Sequence, residues 1–193
     1  MRKNIKRLAL FMVILITSLS LIACSPKPND TMDSFLQNFK KQDFKTAMTF
    51  VKGNDSSEAL EFENEEEKKI VEGVLSKLEY EILSTEVKGD TATAKVKITS
   101  CNLPKILSTT LAELMPTLFA SAFSQENVDD AKVEAMMMEN LLNAINDPKA
   151  PTTVAEINVE LVKENNNWLI VPSEDLLNAL TGNLSKMSEL LDF

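Results

Sequence analysis

The sequence predicts an α+β domain built around an antiparallel sheet of four strands. Two observations support this fold class. Apolar residues recur with the helical period of about 3.6 in several parts of the chain, whereas they alternate in the segments Tyr80–Thr99 and Val154–Val171. Each alternating segment also contains a turn signal, Lys88-Gly89-Asp90 in the first and Asn165-Asn166-Asn167 in the second. Each segment is therefore expected to form a hairpin, and two hairpins give four strands.

Three helices are predicted ahead of the first hairpin. The apolar residues of the first share one face: Met32, Phe35, Leu36 and Phe39. Asp43 is expected to cap a second, short helix with the apolar positions Phe44, Ala47, Met48 and Val51. Asn64 and Glu67 approximate a capping box at the start of the third helix. Its predicted buried stripe is Ile70, Val71, Val74, Leu75 and Leu78.

The strands are predicted over Tyr80–Val87, Thr91–Thr99, Val154–Lys163 and Trp168–Val171, with Pro172 ending the last of them. The second strand alternates most cleanly, with its apolar side chains on one face: Ala92, Ala94, Val96 and Ile98. A sheet with one apolar face needs a cover on that face. Ser173 is expected to cap a final helix whose apolar residues are Leu177, Leu180, Leu184, Met187 and Leu191.

Between the two strand pairs, the segment Leu103–Asn146 predicts an inserted helical hairpin. Its first helix carries an apolar stripe, which Pro116 is expected to kink or divide: Leu103, Leu107, Leu111, Leu114 and Leu118. Two roles remain open for this hairpin. In the first, the hairpin packs on the open apolar face of the sheet and adds to the core. In the second, it forms an apolar surface that lines a pocket or contacts a partner. The candidate ligand or partner surface consists of Met115, Phe119, Phe123, Met136, Met137 and Met138.

The first 23 residues have the features of a secretory signal peptide. Four basic residues precede the apolar run Leu8–Ser20, which is followed by Leu21-Ile22-Ala23-Cys24. This last group resembles a bacterial lipobox, which implies cleavage between Ala23 and Cys24 and a diacylglyceryl thioether on Cys24. The alternative is an uncleaved transmembrane anchor, but the run is shorter than the ~20 residues a span prefers. We therefore expect a signal peptide at 1–23, a lipid-anchored tether at 24–30, and one domain at 31–193.

The chain is acidic. It contains 20 Lys and Arg against 29 Asp and Glu, a formal net charge of −9, and removal of residues 1–23 takes away four cations and no anion. An acidic surface repels phosphate backbones and anionic headgroups, so nucleic acid is not an expected partner. The expected attachment to the membrane is the lipid on Cys24, which places the domain on the outer face of the cytoplasmic membrane.

The segment from Phe35 to Met48 resembles the opening of NTF2-like lipoproteins of low-GC Gram-positive bacteria. In that family a short helix, an acidic residue and an alanine precede a curved sheet, which ends in a strand with a tryptophan. Asp43, Ala47 and Trp168 match these features. The resemblance covers roughly Thr31–Lys52 and Lys77–Pro172 without the insertion. It implies an NTF2-like, curved antiparallel sheet with N-terminal helices, and most members of the family have no known function.

The sequence contains little that indicates catalysis. It has no histidine, no glycine-rich phosphate loop among its four glycines, and no nucleophile with a visible base. The only candidate catalytic residues are Tyr80 with Glu79 or Glu81. The alternation of a strand places both glutamates on the opposite face from Tyr80. Cys101 is interpreted as a small buried hydrophobe at a strand end. The acidic run Glu61–Glu67 lacks convergent ligand spacing, so neither a metal nor a cofactor is expected.

Three functions are therefore considered. The first is a non-enzymatic, lipid-anchored lipoprotein that binds a small apolar ligand or a cell-envelope protein through the concave face of the sheet and the helical hairpin. The second is a small isomerase or hydrolase of the same fold. The third is a purely structural lipoprotein with a filled core. A two-lobed solute receptor is not expected from one short domain.

Overall fold

The structure is a computed structural model, and it describes residues 26–53, 65–123 and 130–185. Six helices and four strands lie in these ranges. The helices are α1 (Pro28–Lys40), α2 (Phe44–Met48), α3 (Glu65–Ser76), α4 (Leu103–Phe123), α5 (Asp130–Asn146) and α6 (Glu174–Leu180). The strands are β1 (Glu79–Lys88), β2 (Thr91–Cys101), β3 (Thr152–Glu164) and β4 (Asn167–Ile170). The predicted α+β class is confirmed, with α4 and α5 forming the expected hairpin between the two strand pairs.

The four strands form one antiparallel sheet in the order β1-β2-β3-β4. The register places apolar residues opposite one another, for example Val96 opposite Ile157. β1 contains a bulge at Leu83, because Ile82 pairs with Val96 and Ser84 pairs with Lys95, which leaves Leu83 without a partner in the register. The bulge shifts the alternation of β1 by one residue, so positions after it change faces.

The apolar face of the sheet is covered by helices. Its central residues, Ala94, Val96 and Ile98, are fully buried. The side chains that cover them come mainly from α1 and α6: Met32, Phe35, Leu36, Phe39, Leu176, Ala179 and Leu180. The opposite face is polar, and Lys95 forms an ion pair across it with Glu156 at 2.8 Å. The apolar face of the sheet is thus covered by core side chains, and ligand binding through this face stays a prediction.

The inserted hairpin packs at one end of the sheet rather than over its face. A second apolar cluster joins α3, the end of β2 and the base of the hairpin: Val74, Cys101, Leu103, Ile106, Ile145 and Ala150. Cys101 is fully buried in it, as predicted, and burial raises the pKa of its thiol. The buried face of α4 also includes Ile106 and Thr110. It therefore differs from the predicted stripe, in which Leu111 and Leu118 are only half-buried. α4 runs through Pro116 without division.

Two helix ends differ from the prediction. α1 begins at Pro28, inside the segment expected to be an extended tether, because proline fits the first turn of a helix and Asp30 favours its positive end. α6 ends at Leu180, although its apolar pattern was expected to continue through Leu191. Gly182 follows with φ +69°, and its carbonyl accepts a hydrogen bond from the backbone N–H of Leu103 at 3.2 Å. Residues 186–193 lie outside the described residues.

Candidate functional site

The predicted attachment site lies outside the described residues, since Ala23 and Cys24 both precede Pro26. The signal peptide and the lipidation of Cys24 therefore stay predictions. In the ranges 26–53, 65–123 and 130–185, no helix has the length and apolar character needed to cross a bilayer.

Two residues of the predicted hairpin surface are exposed. Met115 is 43% exposed and Phe119 is 55% exposed. Met136, Met137 and Met138 are half-buried on α5, and the side chain of Phe123 lies outside the described part. Beyond Leu114, α4 has no buried side chain among those the structure describes. The base of the hairpin is therefore core, while its distal half carries apolar side chains that the core does not use.

An apolar groove that the sequence did not reveal lies between α1, α6 and the segment that follows α2. It has a volume of about 540 Å³. Its apolar lining consists of Phe35, Phe39, Met48, Val51, Ile170, Pro172, Leu176, Leu177 and Leu180. Lys52, Ser173 and Glu174 supply polar groups to the same lining. Leu177 is 57% exposed, so a large apolar side chain of α6 is accessible in the groove.

Backbone pairing at the edge of the sheet positions this groove. The N–H of Ile170 donates to the carbonyl of Phe50 at 2.8 Å, and the N–H of Lys52 donates to the carbonyl of Ile170 at 2.8 Å. Val51 thus forms a parallel bridge with Ile170. Pro172 and the cap residue Ser173 then turn the chain into α6, where the hydroxyl of Ser173 accepts from the N–H of Leu176 at 3.3 Å.

One wall of the groove, formed by Phe35 and Phe39, belongs to a row of aromatic rings in the core. The rings of Phe35 and Phe39 are 5.8 Å apart between centroids, and Phe39 meets Phe44 edge-on at 5.3 Å. All three side chains are buried in the main core. Because the wall is part of the core, the groove is formed before any ligand binds, which reduces the ordering cost of binding.

Tyr80 does not pair with Glu79 or Glu81, which were named with it in the sequence. Its hydroxyl donates to Asp33 Oδ1 of α1 at 2.9 Å. Burial, followed by the hydrogen bond to Asp33, raises the pKa of Tyr80 to about 12. The phenol is therefore neutral at physiological pH and acts as a hydrogen-bond donor that joins β1 to α1.

No group of three or more acidic or cysteine side chains able to hold a metal ion occurs in the described ranges. Glu61 and Glu63 of the acidic run lie outside those ranges, and Glu65, Glu66 and Glu67 begin α3.

Comparisons with known proteins include a likeness to a solved structure. No protein-family model and no curated protein matches this chain. The chain is similar to a crystal structure from Bacillus subtilis described as a "putative lipoprotein (ycdA)", with a TM-score of 0.43 and 10% sequence identity. The match covers 74% of this chain and 43% of the other, so this chain spans less than half the length of that protein.

Proposed function

We propose that the protein is a lipid-anchored, extracytoplasmic lipoprotein without enzymatic activity, which binds a small apolar ligand in the groove between α1 and α6. The lipobox-like sequence ending in Cys24 supports the anchor, and the order of helices and hairpins supports an NTF2-like fold. The apolar groove is the observation that carries the binding function. Its volume of about 540 Å³ lies within the range of ~300–1,000 Å³ that is usual for small-molecule sites.

The composition of the groove defines the class of ligand. Lys52 forms an ion pair with Glu164 at 3.0 Å, so its charge is balanced before a ligand arrives. Apart from Ser173 and Glu174, the rest of the lining is mainly aliphatic and aromatic, and it favours an uncharged hydrocarbon body such as an acyl chain.

A charge placed on the rim of the groove tests this function. Leu177→Lys puts an ammonium group among the apolar lining at a position that is already 57% exposed, so the fold is expected to tolerate it. Binding of a fluorescent probe with an uncharged hydrocarbon chain is expected to weaken at least about tenfold, because the bound chain would remove the ammonium group from water without supplying a partner. Leu184→Lys is the matched control, since Leu184 is 47% exposed and is not part of the lining. Equal binding by both variants and the wild type would exclude the groove as the site.

A second candidate function, binding of a cell-envelope protein, is supported by the exposed side chains of Met115 and Phe119. A photo-crosslinking residue at position 119 is expected to capture a discrete partner in intact cells. The same residue at position 154, on the polar face of the sheet, is expected to capture none. Identical products from both positions would indicate random collision rather than a binding surface.

A further inference from the structure

The apolar groove between α1 and α6 is polar at one end. Lys52 and Ser173 line that end, because the N–H of Lys52 donates to the carbonyl of Ile170 at 2.8 Å and Ser173 follows shortly after Ile170 in the chain. Glu174, which begins α6, belongs to the same part of the lining. The polar residues of the groove therefore lie together where the chain passes from β4 into α6.

From this end the groove continues along one side of α6. Leu177 and Leu180 line it after Glu174, at the spacing that keeps side chains on one face of a helix. With a rise of about 1.5 Å per residue, Leu180 lies ~9 Å along the axis of α6 from Glu174. Phe35 and Phe39 of α1 line the groove as well. A hydrocarbon chain laid along α6 thus contacts apolar side chains from a point next to a carboxylate onward.

The charge at the polar end of the groove is negative. Lys52 is balanced by Glu164 at 3.0 Å, whereas Glu174 takes part in none of the ion pairs found in residues 26–53, 65–123 and 130–185. Asp175 adds a second acidic side chain to the first turn of α6. Together the two carboxylates exceed the partial charge of roughly +0.5 that the N-terminus of a helix carries. This end of the groove therefore attracts a cation and repels an anion.

We propose that the groove binds a long-chain amine, which is a single hydrocarbon chain that ends in an ammonium group. The chain lies along Leu177 and Leu180, and the ammonium group pairs with the carboxylate of Glu174. A fatty acid or a phospholipid would bring an anionic group to the same carboxylate, which is unfavourable. This inference rests on the proposed function, because it assigns the head group of the ligand whose hydrocarbon body the groove takes.

Three compounds with the same chain and different head groups test the proposal: decylamine, decanol and decanoate. Each competes with a fluorescent probe that has an uncharged hydrocarbon chain, at neutral pH, low ionic strength and concentrations below those at which the compounds aggregate. The wild type is expected to bind decylamine about two- to fivefold more tightly than decanol, the range typical of an exposed ion pair. Decanoate is expected to bind more weakly than decanol, and added salt is expected to narrow both differences.

Two neighbouring substitutions identify the carboxylate responsible. Glu174 and Asp175 are both exposed in the first turn of α6, but Glu174 lines the groove and Asp175 does not. Glu174→Gln is expected to bind decylamine and decanol equally, with the affinity for decanol unchanged. Asp175→Asn removes the same charge from the protein, and this matched control is expected to keep the preference for the amine.

The outcomes separate this proposal from the one it rests on. Equal affinity of the wild type for decylamine and decanol, or a preference that survives in Glu174→Gln, would overturn the amine proposal and leave binding of an apolar chain intact. An equal loss of preference in Asp175→Asn would also overturn it, because the general acidity of the surface would then attract the amine. Displacement of the probe by none of the three compounds would instead exclude the groove as a ligand site, and with it the proposed function.

Discussion

The hydroxyl of Tyr80 donates a hydrogen bond to Asp33 across the boundary between the sheet and α1, at 2.9 Å. The two residues are 47 positions apart in the chain. The bond therefore ties the first helix to the edge strand β1, on the side of the sheet that α1 covers.

Stability is expected to depend on the protonation of Tyr80 at high pH. Its pKa is raised to about 12 in the folded protein, whereas an unfolded tyrosine titrates near ~10. The neutral phenol therefore favours the folded state below pH ~10, and this contribution is lost as the pH rises from ~10 through ~12. Denaturant unfolding between pH 8 and 12 is expected to show a steeper loss of stability in the wild type than in Tyr80→Phe. Parallel curves would mean that Tyr80 titrates alike in both states.

Truncation of the Trp168 side chain is expected to lower the stability of the fold. Trp168 is 6% exposed in the main core, on a strand of only four residues. Trp168→Ala is expected to lower the free energy of unfolding by about 3–5 kcal/mol, through lost burial and the cavity that remains. Tryptophan fluorescence offers a second check, because the buried indole is expected to emit at shorter wavelength than free indole in water. An unchanged melting temperature in the variant would contradict a packed fourth strand.

The strands and most helices followed from local pattern, and the reason is visible in β2. Its alternating residues from Ala92 to Ile98 are all buried, as predicted, because one face of the strand contacts the core along its whole length. The cap residues Asp43 and Ser173 were also predicted, since capping depends on residues only three positions apart.

The groove could not be predicted in the same way. It depends on the pairing of Val51 with Ile170, a contact between distant parts of the chain that leaves no periodic signal. Of the predicted C-terminal stripe, Leu180 is buried, whereas Leu177 and Leu184 are 57% and 47% exposed; Leu176 and Ala179, which the pattern did not include, are buried instead. Because α6 ends at Leu180, the predicted stripe does not continue along one helix. Leu177 is accessible in the groove.

The two halves of the inserted hairpin are expected to differ in their effect on stability. Ile106 is fully buried at the base, so Ile106→Ala is expected to cost about 2–5 kcal/mol. Phe119 lies on the same helix and is 55% exposed, so Phe119→Ala is expected to change stability by no more than about 0.5 kcal/mol. Urea denaturation of both variants checks this. A large effect at Phe119 would mean that the distal half is core as well.

Removal of the predicted lipid site is expected to release the protein from the membrane. Two acyl chains on Cys24 would hold the domain durably on a bilayer, which one chain does not. Cys24→Ala protein is therefore expected in the soluble fraction after a carbonate wash, while the wild type stays with the membrane. If the variant also stays there, the apolar run before Cys24 spans the bilayer as an uncleaved anchor.

The turn after α6 is expected to depend on glycine for two separate reasons, which two matched variants can separate. Gly182 and Gly89 have nearly the same backbone conformation, with φ +69° and +65°. An added Cβ at Gly89 meets nothing within 4 Å, whereas one at Gly182 collides with the carbonyl oxygen of Cys101. Gly89→Ala is therefore expected to cost about 1–2 kcal/mol from the left-handed conformation alone. Gly182→Ala is expected to cost more, because the turn that pairs with Leu103 must also move. Equal losses in chemical denaturation would show that the turn shifts freely and that its contact with the end of β2 contributes little.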